Sequence, residues 1–585
     1  MNPYQDQDHT RLFIAVFLAG MLLILWQAYV ELPRRQQLSQ VVVAHQEKKA
    51  AEKEAYAERV GEKENARELN ESLTREARLA LAPRIAIRSE KLHGTLALKG
   101  ARFDDLTLAR YRQTLDASSP EVTLFSPNGD PQGYFAQIGW LSTDGTKVPD
   151  GESLWKADQK ELTPHTPVTL RWDNGQGQLF LLRISLDEDY MFSIEQRVEN
   201  HSARAISVSP FGYINRSFAD VGKHYGILHE GPLGVMEKSL EEVEYKALRE
   251  KGNKSFENAA GWLGITDKYW LAALVPDAPG YKATFSHYMK GERDRYQVDF
   301  LGASAQIPPQ GELSSPVRLF AGAKEISVLD AYASGDGSKK QPPIPLFDRA
   351  VDFGVLYFLT KPMFLTLNFF YALIGNFGIA IMLLTIVVKL LMYPLANKSY
   401  ASMAQIKKLQ PEMTKIRERY VDDQLAMQKA MMEMYKREKV NPASGCLPLL
   451  LQMPVFFALY KVLYVTIEMR HAPFFGWLKD LSAPDPSNLF TLFGALDWNH
   501  PAWMHLGLLP ILYCISMIIQ MKLQPKPADP VQAKMIAFMP YFFLFIFAGF
   551  PAGLVLYWLW SNILSIFQQQ LISKRYEKKK VKHAA

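Results

Sequence analysis

Twenty residues from Phe377 to Ala396, FGIAIMLLTIVVKLLMYPLA, carry a single charge, Lys389. A run that long and apolar is predicted to cross a bilayer as a helix. A lysine at the centre of such a helix costs roughly 2.5–3.5 kcal/mol on insertion scales. No acidic residue lies one turn away to neutralise it. Two readings are open. Lys389 faces a wet, protein-lined cavity, or it snorkels past the few residues that separate it from Ala396.

Other runs share this texture. Residues 12–30, LFIAVFLAGMLLILWQAYV, are expected to form an uncleaved anchor, too long for the apolar part of a signal peptide and lacking a clean A-x-A site. Further spans are expected in Cys446–Ile467, Leu506–Met521 and Met535–Phe567, the last divided into two by Phe550-Pro551-Ala552-Gly553. Three of these spans hold only 15 or 16 residues, about 24 Å of helix against a hydrocarbon core of about 30 Å, which favours local thinning of the bilayer. FGVLYFLTKPMFLTLNFF, 353–370, is expected to lie at the interface.

Charge placement orients the spans. The 398–440 segment and the tail are lysine- and arginine-rich, whereas the 468–505 loop has only Arg470 and Lys479 against four acids. Six spans with both termini inside satisfy this pattern, although Arg34 and Arg35 on the outer flank of the first span oppose it.

The intervening chain is polar, which is why the mean hydropathy is only −0.10. From Gln36 to Ala82 it is rich in Ala, Glu, Lys and Arg, as for a solvated helical tether. From Pro83 onward, runs such as VTLFS, VTLRW, LFLLRISL and YMFSIEQRV alternate with PNGD and DNGQGQ turns and predict a large β-sandwich. Its histidines are scattered, with only His224 and His229 close together, so no metal site is expected. Asp187, Glu188 and Asp189 read as a solvated turn. SGDGSKKQPPIP, 334–345, reads as a linker.

The chain's two cysteines, Cys446 and Cys514, both fall in apolar runs, which excludes a disulfide framework. No GxSxG, HExxH or P-loop pattern occurs, so neither an enzyme, a cofactor nor a small-molecule substrate is expected. A secondary transporter would favour inverted repeats and interacting buried charges, which are not apparent here. The organisation expected is an anchor (1–35), a charged tether (36–82), a β-sandwich on the outer side (83–345), an interfacial helix (346–372), a second span (373–397), a cytoplasmic helical hairpin (398–440), spans three to six (441–572) and a basic cytoplasmic tail (573–585). In the hairpin, Met403, Met413, Met427, Met431 and Met434 serve either as a paired-helix core or as a plastic surface for varied apolar ligands. Asp422 or Asp423 is placed to cap its second helix.

IVVKLLMYPL, NPASGCLPLLLQMPVFFALY (441–460) and FPAGLVLYWLWSNILSIFQQQLI (550–572) closely resemble the YidC family of membrane protein insertases. The resemblance covers about residues 350–572, and the anchor plus β domain matches the Gram-negative bacterial form in order and size. It implies a polytopic α-helical protein of the bacterial inner membrane. A five-helix core would enclose a hydrophilic groove that admits nascent membrane proteins, alone or with the Sec translocon. The family usually has an arginine in that groove, and Lys389 stands here, keeping the charge without the bidentate fork. Thr385, Gln452, Ser516, Gln520, Tyr557, Trp558, Ser561, Asn562 and Gln568 are the candidates to line it with Lys389, while snorkelling is expected for Lys461. A structural assembly factor without autonomous insertase activity is the rival. Lys574, Arg575, Lys578, Lys579, Lys580 and Lys582 in the tail are read either as a topology anchor beside anionic membrane lipids or as a dock for the ribosome.

Overall fold

The computed structural model describes residues 74–217, 228–290, 293–335, 341–354, 356–420, 423–438, 440–441, 447–496, 505–524 and 530–584. The expected anchor, most of the tether, His224, Asp422 and Cys446 lie outside the described residues. The chain divides into two compact units, a β-rich one that also takes in Lys461–Arg470 and a helical one.

In the β-rich unit, two almost wholly antiparallel sheets, of eleven and nine strands among the described residues, enclose an apolar core. Alternation dictates the faces. The strand Gln178–Leu186 buries Phe180, Leu182 and Ile184 and turns the residues between them outward. The preceding DNG turn works as its sequence suggests. Asp173 and Asn174 accept hydrogen bonds from the amides of Gly175 and Gln176, each 2.8 Å, and Gly175 takes a φ of 72° that a side chain would resist. Asp187–Asp189 departs from a merely solvated turn. Tyr332 donates to Asp187, and the nearly buried ammonium of Lys91 lies 2.7 Å from both Asp189 and Glu325, because a buried lysine needs counter-charges.

Three short helices accompany the sheets: α1 (Arg75–Leu79), α2 (Tyr245–Lys251) and α3 (Ile326–Ser334). Glu468 accepts a hydrogen bond from the amide of Ile326, the first residue of α3, at 3.2 Å. Lys461 does not snorkel. Its ammonium is 2.7 Å from the carboxylate of Asp352 and its side chain is largely buried, because a nearby acid offers a stronger partner than a distant interface.

The remaining helices are α4 (Tyr357–Ile374), α5 (Phe377–Leu391), α6 (Tyr393–Arg419), α7 (Gln424–Arg437), α8 (Leu447–Val465), α9 (Leu508–Leu523), α10 (Pro530–Ala548) and α11 (Ala552–Ala584). Helix α4 has 18 residues with a mean hydropathy of 1.2, long and apolar enough to cross a membrane, whereas α9 is a shorter apolar helix. Asn376 caps α5, its side chain accepting from the amide of Ile379. The run that sequence joins from Phe377 to Ala396 is broken at Met392, where α5 and α6 meet at 70°. Pro394 explains the break. It has no amide to bond the carbonyl of Leu390, as an unbroken helix would require, yet is well placed in the first turn of a new helix.

Helices α6 and α7 pair as an αα-hairpin, with Asp423 capping α7 by accepting from the amide of Ala426 at 2.9 Å. Met413, Met431 and Met434 are buried between them with Ile406 and Val440, and Met403 packs on Tyr400 and Ile572. Only Met427 of the five is left half-buried. These methionines are core rather than a free plastic surface. Helix α11 packs on α5, α6 and α9. Where an end at Phe567 is expected, it runs on to Ala584, because QQQLISKRYEKKK contains good helix formers and no breaker.

Candidate functional site

Lys389 lies in the last turn of α5, four residues after Thr385 and on the same face. Its ammonium donates to the hydroxyl of Ser565 on α11 at 2.9 Å, and Ser565 donates in turn to the carbonyl of Ser561, one turn earlier, at 2.8 Å. An ammonium has three N–H donors, so two remain after Ser565 is served. Among the described residues no carboxylate pairs with Lys389. The lysine lines a pocket with Met392, Leu395, Ala396, Tyr400, Gln452 and Gln568.

Around this pocket the helices of the helical unit exchange polar contacts within apolar surroundings. Gln452 of α8 donates to the hydroxyl of Tyr557 on α11. Asn562 donates to Ser516 of α9 at 3.2 Å, and Ser516 donates to the carbonyl of Tyr513. Thr385 spends its hydroxyl on the carbonyl of Ile381 within α5 and is almost fully buried, so its role is packing and backbone satisfaction. Gln520 is half-buried on α9, four residues beyond Ser516. Trp558 packs its ring against Phe456, Tyr513 and Phe547. Among the described residues its indole N–H and the buried amide nitrogen of Gln568 find no acceptor.

Sequence reasoning brought Lys389, Gln452 and Gln568 to one pocket but missed Ser565, Tyr400 and Gln569. The signal for the first was available, since Ser561, Ser565 and Gln568 recur at helical spacing on α11. Gln569 donates to the carbonyl of Leu523 at 3.2 Å, meeting an open carbonyl at the end of α9. Of the tail cations, Lys574 is exposed, and the others lie on the helical continuation of α11, outside the described side chains. No group of three or more metal-ligating side chains occurs among the described residues.

A β-rich unit is joined in one chain to a helical unit that holds a cation in a pocket among apolar helices, one of the described helices being long and apolar enough to cross a membrane. Two family models match in tandem, the YidC periplasmic domain over residues 84–366 and the 60Kd inner membrane protein over residues 369–580. A membrane protein insertase YidC of Rickettsia bellii (strain OSU 85-389) is 46% identical over 572 residues, covering 97% of this chain and 99% of that protein. The protein of the same name in Rickettsia massiliae (strain Mtu5) is 49% identical over 494 residues, 84% of this chain and 87% of its own. A crystal structure of an active YidC insertase with its first transmembrane domain resolved aligns over 83% of this chain and 94% of its own, at 18% identity and a TM-score of 0.35. The chain belongs to the YidC family.

Proposed function

We propose that the protein is an insertase that moves segments of nascent membrane proteins into the bacterial inner membrane through the pocket at Lys389. The carrying observation is an imbalance of hydrogen-bonding groups. Among the described residues the pocket holds an ammonium with one hydroxyl partner and an amide nitrogen with none, so it presents N–H donors still open to an acceptor. A client segment supplies the acceptors, as backbone carbonyls or as Asp and Glu carboxylates, and the cation favours the carboxylates. The apolar flanks of the client then partition into lipid, which drives release without nucleotide hydrolysis. The membrane potential adds about 2.3 kcal/mol per charge for each 100 mV.

On this reading the chain has six spans, cytoplasmic termini, a cytoplasmic α6–α7 hairpin and a periplasmic β domain. The lysine-rich tail and hairpin face ribosomes and anionic lipid, and the Sec translocon shares part of the client load. The charge asymmetry of the loops and the names of the relatives support this arrangement. Purified protein in vesicles should insert a one- or two-span client bearing an acidic translocated segment. A protein that leaves such a client protease-accessible on the outside, in vesicles where it is folded and correctly oriented, is an assembly factor instead.

A further inference from the structure

The described loop between α8 and α9 is built inside out. Its polar groups point inward. Asp485, 2% exposed, accepts hydrogen bonds from the indole of Trp477 (3.0 Å), from the amide and hydroxyl of Ser487, and from the amide of Leu509 at the start of α9 (2.7 Å). The carboxylate therefore sits where the helix dipole favours an anion. Asn488, equally buried, accepts from the amides of Phe490 and Leu506. Leu478 and Leu481 are buried, but several other large apolar side chains point outward. Phe475, Trp477, Leu489, Leu492 and Leu496 are all 40% exposed or more. Leu492 holds a φ of 47°, unfavourable for a branched side chain. Leu492 is 57% exposed, one member of an exposed apolar patch.

The loop is also fastened to helix ends. The amides of Ala552 and Gly553, at the start of α11, donate to the carbonyls of Ala483 and Leu481 at 2.7 and 2.9 Å. A Cβ on Gly553 would lie 3.1 Å from the Leu481 carbonyl. The exposed apolar residues thus continue from the ends of apolar helices. Lys479 is the lone lysine or arginine among residues 471–496, and it is exposed. Aromatic and leucine side chains around one long cation are the composition that a headgroup–acyl boundary accepts.

We infer that this loop is seated in the outer leaflet of the membrane, with Phe475, Trp477, Leu489, Leu492 and Leu496 at the headgroup–acyl boundary and Lys479 reaching lipid phosphate. The inference rests on the proposed membrane-spanning reading of α9 to α11. Its test is an environment-sensitive fluorophore on Leu492→Cys, and separately on Phe475→Cys at an unstrained position. Both use full-length protein with Cys446→Ser and Cys514→Ser, one copy per phosphatidylglycerol/phosphatidylethanolamine nanodisc. Phe567→Cys on α11 reports lipid, and Leu115→Cys in the β-rich unit reports water. Both loop labels should be quenched by headgroup-proximal nitroxide lipid and show at least about threefold less iodide quenching than the Leu115 label. Loop labels open to iodide while the Phe567 label is quenched by nitroxide lipid overturn the inference and leave the spans intact. Iodide quenching at Phe567 as well overturns both readings. Loop labels shielded from iodide and from nitroxide lipid alike show a protein cover, which also overturns it.

Discussion

Lys389 occupies the C-terminal turn of α5, where the helix dipole favours a cation and Ser565 gives its ammonium one neutral partner. On the proposed reading, what the pocket uses is a charge with free donors rather than a particular fork. Lys389→Arg should keep insertion within about twofold, whereas Lys389→Glu should lower insertion of acidic clients about tenfold or more, equivalent to at least 1.4 kcal/mol. Quantified protease protection of such clients in vesicles decides it, and undiminished activity of the glutamate variant removes the pocket from the mechanism. In the β-rich unit, the carboxyl of Glu468 is shifted into the physiological range. Burial first, with Glu325 and Asp330 adding to it, pushes its carboxyl up to about 7. The folded state therefore binds more protons than the unfolded chain between about pH 4.3 and 7, and the contribution to stability falls as pH rises through that window. Glu468→Gln should flatten the difference in Tm between pH 5 and pH 8, read by differential scanning fluorimetry. An unchanged pH slope assigns the proton elsewhere. Lys389 was legible because a lone charge in an apolar run has no bland company; Ser565 was legible as sharing a helix face with Ser561, but not as the partner of the lysine. Serines are common in helices, and choosing Ser565 requires the relative rotation of α5 and α11, which no single sequence states.

The elements were legible where local chemistry governs them and misjudged where composition stood in for geometry. The DNG turn, the Asp423 cap and the break between α10 and α11 follow from residues acting on their neighbours. The 20-residue apolar run did not survive as one helix, since hydropathy is blind to what Pro394 does to the carbonyl of Leu390. Pro394→Ala should let α5 and α6 straighten toward one rod, read as a longer distance between spin labels at Ile379 and Ile416. An unaltered distance places the 70° bend under tertiary control instead. In the hairpin, Met434 is 2% exposed against Met413 and Met431. Met434→Ala should cost about 2–5 kcal/mol of local stability if the surroundings do not collapse, measured as faster hydrogen exchange along α7. Exchange rates equal to the parent protein's would return these methionines to the surface.

At the scale of the whole molecule, the described residues of the β-rich unit bring no recognised catalytic constellation, and charged groups there pair with one another, as Lys91 does with Asp189 and Glu325 and Arg216 with Asp267. A chain keeping the anchor and residues from about 350 onward should retain at least half of the parent's insertion of simple clients in vesicles. Complete loss in a folded, correctly oriented version would make the sandwich part of the machinery. Truncation after Ser573 should weaken ribosome binding several-fold in zwitterionic nanodiscs, where anionic lipid is absent, and leave the last span's topology unchanged. A scrambled topology with unaltered affinity identifies the tail as an anchor. That tail is the far end of a single helix. Helix α11 runs 33 residues from Ala552 to Ala584 without a breaker, about 50 Å of continuous rod. A tilt of about 10° at Ser565 moves the distal end, about 28 Å away, by roughly 5 Å, so a displacement of the tail and a tilt at the pocket are one motion of a single rod.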